Sequence, residues 1–74
     1  MTRTMAIKAM AQTVNACITN RGFEDEVTIF AATEAEKAEN KLHTSNSTFN
    51  GKVVVEFRQA VKKKARQIEE EEED

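Results

Sequence analysis

Five basic side chains lie within nine residues near the end of the sequence, and a run of six carboxylates begins three residues after the last of them. A dense run of cations attracts phosphates and other polyanions. A run of carboxylates can screen those cations or bind a partner itself. The candidate polyanion-binding residues are Arg58, Lys62, Lys63, Lys64 and Arg66, and the candidate acidic interaction tail is Glu69, Glu70, Glu71, Glu72, Glu73 and Asp74.

The formal net charge of −2 hides how strongly these charges are separated along the chain. Residues 1–57 carry six basic and seven acidic side chains, residues 58–68 add +5, and residues 69–74 add −6. Residues 1–68 therefore sum to +4 and the acidic end to −6. Because that end is tethered, its effective concentration near the basic residues is on the order of millimolar. We predict that it competes with weak polyanions for them.

The other reactive residue types form no catalytic or metal-binding pattern. Cys17 and His43 are the only cysteine and histidine, whereas a zinc site takes about four N, S or O ligands. Both serines lie in residues 43–51, so a nucleophile with a matched base cannot be assembled. Gly22 and Gly51 are the only glycines, too few for a phosphate-cradling loop. We predict a protein that is not an enzyme and that binds no cofactor, metal or small-molecule substrate.

The length of the chain predicts one small domain that associates with itself. Only 18 of its 74 residues are Val, Ile, Leu, Met or Phe, and a domain of this size buries only about 60% of its unfolded surface. A single cysteine cannot form an internal disulfide, so we expect a homo-oligomer to supply more buried area. No segment has the pattern of a signal peptide or a membrane span. We therefore expect a cytoplasmic protein without a membrane partner.

Residues 5–19 fit either a strand or a helix. Residues 13–19 are rich in β-branched side chains, and residues 26–32 follow the turn-forming Asn20 and Gly22 as a second strand would. We therefore favour a β-hairpin, with an N-terminal helix in place of the first strand as the alternative. The alternative rests on apolar residues at helical spacing, namely Ile7, Met10, Val14 and Ile18.

The middle of the sequence predicts a helix and a loop. Thr33 and Glu36 have the spacing of a capping box, which predicts a helix over residues 33–42. Residues 43–51 are rich in turn-forming residues and end in an Asn-Gly pair. They are therefore interpreted as a loop.

Residues 52–57, KVVVEF, alternate as a strand does, with Val53, Val55 and Phe57 on one face. The apolar spacing that follows predicts an amphipathic helix over residues 58–68. Carboxylates at a helix C-terminus repel one another and oppose the macrodipole, so we expect residues 69–74 to be a disordered tail. The predicted fold class is α+β, in one domain of residues 1–68: a small sheet made of the hairpin and the Val-rich strand, one capped helix packed on it, and a C-terminal amphipathic helix.

This order of elements resembles that of small phage-encoded accessory and anti-host proteins, a group that includes some anti-CRISPR inhibitors. The resemblance is carried by TRT at residues 2–4, by AATEAEKAENKL leading into NGKVVVEF, and by the shortness of the chain. It implies a stoichiometric binder of a host protein, acting in the host cytoplasm if the chain is phage-encoded. It transfers no functional residue.

Two functions are consistent with these patterns. The first is a non-enzymatic, oligomeric interaction module that engages a protein, such as a phage-type accessory protein or inhibitor engaging a host protein. The second is a nucleic-acid-associated protein that binds phosphates with its basic C-terminal helix and is gated by its acidic tail.

Overall fold

The computed structural model describes residues 1–19 and 25–72, which form three α-helices. Helix α1 spans Arg3–Thr19, α2 spans Asp25–Glu39 and α3 spans Ser47–Glu72. No strand occurs in the described residues, so the prediction of an α+β fold with a sheet is wrong. The hairpin, helix and strand order behind the resemblance to phage accessory proteins is likewise absent from these residues.

Helices α1 and α3 run parallel, with their first turns side by side. The Met1 amine donates a hydrogen bond to the Ser47 carbonyl at 3.3 Å. Further along both helices, Arg58 Nε donates to Thr13 Oγ1 at 3.4 Å. Because α3 has 26 residues and α1 has 17, α3 is longer by about 13 Å at a rise of 1.5 Å per residue.

Helix α2 runs antiparallel to the other two. Its first turn meets the C-terminal half of α3, where Lys64 Nζ lies 3.1 Å from Glu26 Oε1. The loop after α2 returns to the start of α3, where the rings of His43 and Phe49 pack edge to face with centroids 4.8 Å apart. All three helix pairs are in contact. The shared core consists of Ala6, Met10, Cys17, Val27, Ala31, Ala38, Leu42, Val53, Val54, Phe57, Val61 and Ile68.

For residues 5–19 the structure shows the alternative, an N-terminal helix, and the favoured first strand is wrong. The Thr2 hydroxyl accepts a hydrogen bond from the Met5 amide at 3.1 Å, which caps α1 in the way side-chain oxygens cap many helices. Ala6 and Met10 are buried four residues apart, while Ile18 is 63% exposed. Helical spacing therefore outweighs the β-branched content of this segment. The predicted turn at Asn20 and Gly22 lies outside the described residues.

The second strand of the predicted hairpin belongs to α2. In a strand, Val27, Ile29 and Ala31 would share one face. In the structure Val27 and Ala31 are buried, but Ile29 is 67% exposed. This burial pattern is that of two residues on one side of a helix with a third on the other side.

The helix predicted over residues 33–42 starts too late. Thr33 lies in the interior of α2, and its hydroxyl donates to the Ile29 carbonyl at 2.9 Å. It does not cap the helix. Asp25 and Glu26 occupy the first turn of α2, where carboxylates favour the positive end of the helix macrodipole.

The predicted loop also extends too far, because α3 begins at Ser47. Asn46 Oδ1 accepts a hydrogen bond from the Phe49 amide at 3.1 Å, so Asn46 is the N-cap of this helix. The Asn50-Gly51 pair is therefore helical and makes no turn. The sequence signal for the start of α3 is the capping Asn46, but the turn-forming residues around it are equally typical of a loop.

The Val-rich strand over residues 52–57 is wrong as well. Val53, Val54 and Phe57 are buried, whereas Val55 is 52% exposed. A strand would place Val55 on the same face as Val53 and Phe57. The buried residues of 52–57 instead continue the helical period of residues 58–68. Neither a proline nor a helix break separates the two segments. The helix predicted over residues 58–68 is the middle of α3.

Helix α3 does not end near Ile68 but continues to Glu72. Extending an existing helix is much easier than starting one, and the core anchors α3 as far as Ile68. Arg66 also lies four residues before Glu70, the i, i+4 spacing that favours oppositely charged side chains. These effects outweigh the repulsion expected among the carboxylates. Residues 73 and 74 lie outside the described residues.

The side-chain amide of Asn50 joins three parts of the molecule. Asn50 is fully buried. Its Nδ2 donates to the carbonyls of His43 at 2.7 Å and Met1 at 3.2 Å. Its Oδ1 accepts from the His43 amide at 2.9 Å. One buried side chain thus connects the start of the chain, the α2–α3 loop and the first turn of α3.

We expect Asn50→Asp to destabilise the fold by about 3 kcal/mol or more at neutral pH, because a buried carboxylate would face two carbonyl oxygens. Burial would raise the pKa of this carboxyl, so the loss should shrink as the pH falls and the neutral acid donates one hydrogen bond. Urea unfolding at several pH values, each against wild type, measures this change. The exposed control Asn40→Asp should shift stability by only a few tenths of a kcal/mol. Equal effects of the two variants would contradict the assigned role of Asn50.

Gly51→Ala should stabilise the protein by about 0.5–1 kcal/mol, because glycine is a poor helix former. A Cβ added at Gly51 meets no atom within 4 Å, so no packing term opposes the gain. The reverse change at a half-exposed site of the same helix, Ala60→Gly, should cost a similar amount. Urea unfolding tests both variants, and a destabilised Gly51→Ala would show that the start of α3 is not helical in solution.

Candidate binding surface

Helix α3 carries all five residues predicted to bind polyanions, but it divides them between two sides. Arg58, Lys62 and Arg66 recur every four residues, so they form a line along one side of the helix with about 6 Å between neighbours. All three are exposed, as is Lys63 beside them. Lys64 is half-buried and turned towards α2. We call Arg58, Lys62 and Arg66 the basic line.

Lys64 has a structural partner in α2. Its Nζ lies 3.1 Å from Glu26 Oε1 and 5.8 Å from the centroid of the Phe30 ring. A partly exposed ion pair contributes about 0–1 kcal/mol, and a cation over an aromatic ring about 0.5–1 kcal/mol. Lys64 therefore helps to hold α2 on α3, and the structure does not bring it to the basic line.

An apolar groove of about 330 Å³ lies between α1 and α3, beside the basic line. Cys17 and Val61 are buried at its base. Arg58 and Lys62 border it on the α3 side, and Thr13 borders it on the α1 side. The hydrogen bond from Arg58 Nε to Thr13 Oγ1, at 3.4 Å, spans the groove. We call this the α1–α3 groove.

The α1–α3 groove combines apolar residues of α1 with basic residues of α3 that are far apart in the sequence. Thr13 and Cys17 are four residues apart, which is the only sequence signal that puts them on one side of α1. The basic residues of α3 are conspicuous by composition, but nothing in α3 itself indicates which helix packs beside them. Only the parallel packing of α1 and α3 creates an apolar base next to the cations.

The acidic end of the chain continues the axis of α3 beyond Arg66, the last residue of the basic line. Residues 69–72 are helical, so Glu69 lies about 17 Å along the axis from Arg58. While these turns stay helical, their backbone cannot fold back over the α1–α3 groove. Arg66 lies only one turn before Glu70, but screening of Arg58 and Lys62 by the acidic end of the same molecule requires the last turns of α3 to unwind.

Comparison with known proteins assigns no function. No protein-family model matches the sequence, no curated protein is similar to it, and no solved structure matches the chain. Among residues 1–19 and 25–72, no cluster of three His, Cys, Asp or Glu side chains could hold a metal ion. Over the same part of the chain, no helix combines the length and apolar character that crossing a membrane requires.

Cys17 offers a chemical test of the groove. Desolvation by burial raises the pKa of the Cys17 thiol, so its reactive thiolate is scarcer than that of a free cysteine. We expect iodoacetamide to label Cys17 at pH 8 at least about tenfold more slowly in the native protein than in urea, since labelling requires local opening. Mass spectrometry over time measures both rates. Equal rates would mean that the reagent reaches Cys17 at the base of the α1–α3 groove without any opening of the native protein.

Proposed function

We propose that this protein acts by binding, without catalysis, and that its partner is an acidic amphipathic helix of another protein. The observation that carries the proposal is the α1–α3 groove, an apolar depression bordered on α3 by Arg58 and Lys62. A helix that presents apolar side chains on one stripe and carboxylates beside it is complementary to this surface. We place this function in the cytosol, a compartment suited to a lone unpaired Cys17.

The apolar base and the cationic border would contribute differently to such a complex. Burial of apolar surface supplies roughly 25 cal/mol for each Å² removed from water. The border charges steer an acidic partner towards the groove and select against basic segments. Arg58 and Lys62 also have long aliphatic stems that can cover a bound apolar side chain while their charged ends stay in water.

The aromatic residues favour a protein partner over single-stranded nucleic acid. Proteins that bind single strands stack bases on accessible aromatic rings. Phe57 is buried, Phe30 is half-buried beneath Lys64, and Phe49 packs against His43. Within the described parts of the chain, no phenylalanine is exposed. Phe23 lies outside them.

A second candidate function, binding of double-stranded nucleic acid, is favoured by the basic line itself. Arg58, Lys62 and Arg66 extend about 12 Å along α3, with Lys63 exposed beside them. Regularly spaced cations of this kind bind phosphates without reading sequence. In this candidate, the acidic end gates the surface by unwinding and competing with phosphates for the same cations.

Reversing the charges that border the groove tests the first proposal. The double variant Arg58→Glu, Lys62→Glu should lose at least about tenfold in capture of its protein partner from nuclease-treated lysate of the cells that produce it. The matched control, Lys41→Glu with Lys52→Glu, changes the same net charge at exposed sites outside the groove and should retain capture. Circular dichroism verifies that both variants fold. Equal capture by both would place the partner elsewhere on the molecule.

Titration with a fluorescent DNA duplex tests the second candidate. Four exposed cations predict a slope of log K against log salt of up to about −3.6. Replacing the four glutamates at residues 69–72 by glutamine should tighten binding if the acidic end competes with phosphates. Absence of binding at low salt, for both the wild type and this variant, would eliminate the nucleic-acid candidate while leaving the first proposal intact.

A further inference from the structure

Helices α1 and α2 share a face on which two isoleucines are exposed. Ile18 on α1 is 63% exposed and Ile29 on α2 is 67% exposed, and these are the two most exposed of the large apolar residues in the described chain. The exposed Ala11 and Ala32 border the groove between the two helices. We infer that this α1–α2 face binds the same face of a second copy of the chain.

The two isoleucines lie at the same height on the bundle. Ile7, Asn15, Ala32 and Glu39 all line the groove between α1 and α2, and the antiparallel packing of the two helices puts Ile7 level with Glu39 and Asn15 level with Ala32. Ile18 is about one turn beyond Asn15, and Ile29 is about one turn before Ala32. Both therefore come together at the end of α1 and the beginning of α2.

A two-fold axis parallel to the helices makes this face self-complementary. Such an axis places α1 of one copy on α2 of the other, antiparallel and at equal height. Ile18 of each copy then meets the partner's Ile29, so the same apolar contact is made twice, as in an isologous dimer. The four helices at the contact have the antiparallel arrangement common in helix bundles.

The charges on this face match under the same axis. Lys8 is exposed on α1, at the height between Glu36 and Glu39 of α2. The axis therefore brings Lys8 of each copy near the partner's Glu36, about 15 Å along the helices from the isoleucine contact. Opposite charges at one end and apolar residues at the other fix a single register. The complementarity points to a second copy of this chain as the occupant.

The size of the face predicts a dimer that dissociates on dilution. Helix α1 is about 25 Å long, and the molecule measures 19 Å across its second axis. Their product is roughly 480 Å² per copy, or about 960 Å² in total, which is below the range of stable interfaces and typical of weak, transient ones. The α1–α3 groove stays open in this dimer, because it lies on another side of α1. A variant can therefore lose dimerisation and keep partner binding, or lose partner binding and keep dimerisation.

Sedimentation velocity of the full chain, from about 5 to 500 µM, tests the inference, since mass action makes the dimer fraction depend on concentration. We expect monomer at the lowest concentration and dimer at the highest. Ile29→Lys should weaken the dimer by at least about tenfold. Val55→Lys is the matched control, because Val55 is an apolar residue of α3, 52% exposed, and should leave dimerisation unchanged.

Charge-reversal variants then distinguish the loss of a dimer contact from a failure to fold. Lys8→Glu and Glu36→Lys should each weaken the dimer, and the two changes together should restore it, because the reversed pair is again complementary. A monomer at every concentration would overturn the inference. So would equal loss from Val55→Lys and Ile29→Lys, or a double variant that dimerises no better than the single variants.

Discussion

The buried amide of Asn50 fixes how the three helices meet. Its hydrogen bonds hold Met1 and His43 against the first turn of α3, and a buried amide left without partners would cost a substantial part of the stability of so small a domain. By holding the start of the chain beside the start of α3, Asn50 brings α1 into parallel register with it. Thr13 and Arg58 then meet across the groove, and the opposite side of α1 is left to form the face shared with α2.

The sequence predicts helices where period and propensity agree and misassigns them where they conflict. The C-terminal amphipathic run is visible because Val61 and Ile68 keep a helical period among good helix formers. Val53 and Val55 also fit a strand, and only the burial of Val54 with exposure of Val55 distinguishes the two. That difference arises from packing against α1 and α2, which a local pattern does not contain.

The candidate binding surface is only partly visible in the sequence. Composition identifies the basic residues of α3, but it cannot divide them, because the division depends on Glu26 and Phe30, which are distant in the chain and adjacent to Lys64 in space. The apolar base of the groove depends in the same way on α1. Residues that a charge pattern groups together are thus separated by tertiary packing into a structural contact and an exposed line.

The position of Asn50 directly before Gly51 has a consequence for the chemical lifetime of the protein. In an unstructured chain, the backbone nitrogen of a following glycine readily attacks an asparagine amide, releasing ammonia and forming a cyclic imide that hydrolyses to aspartate or isoaspartate. Here the amide is buried in three hydrogen bonds and the following backbone is helical, so the folded state suppresses this reaction. Deamidation of Asn50 therefore accumulates with the time that each molecule has spent unfolded.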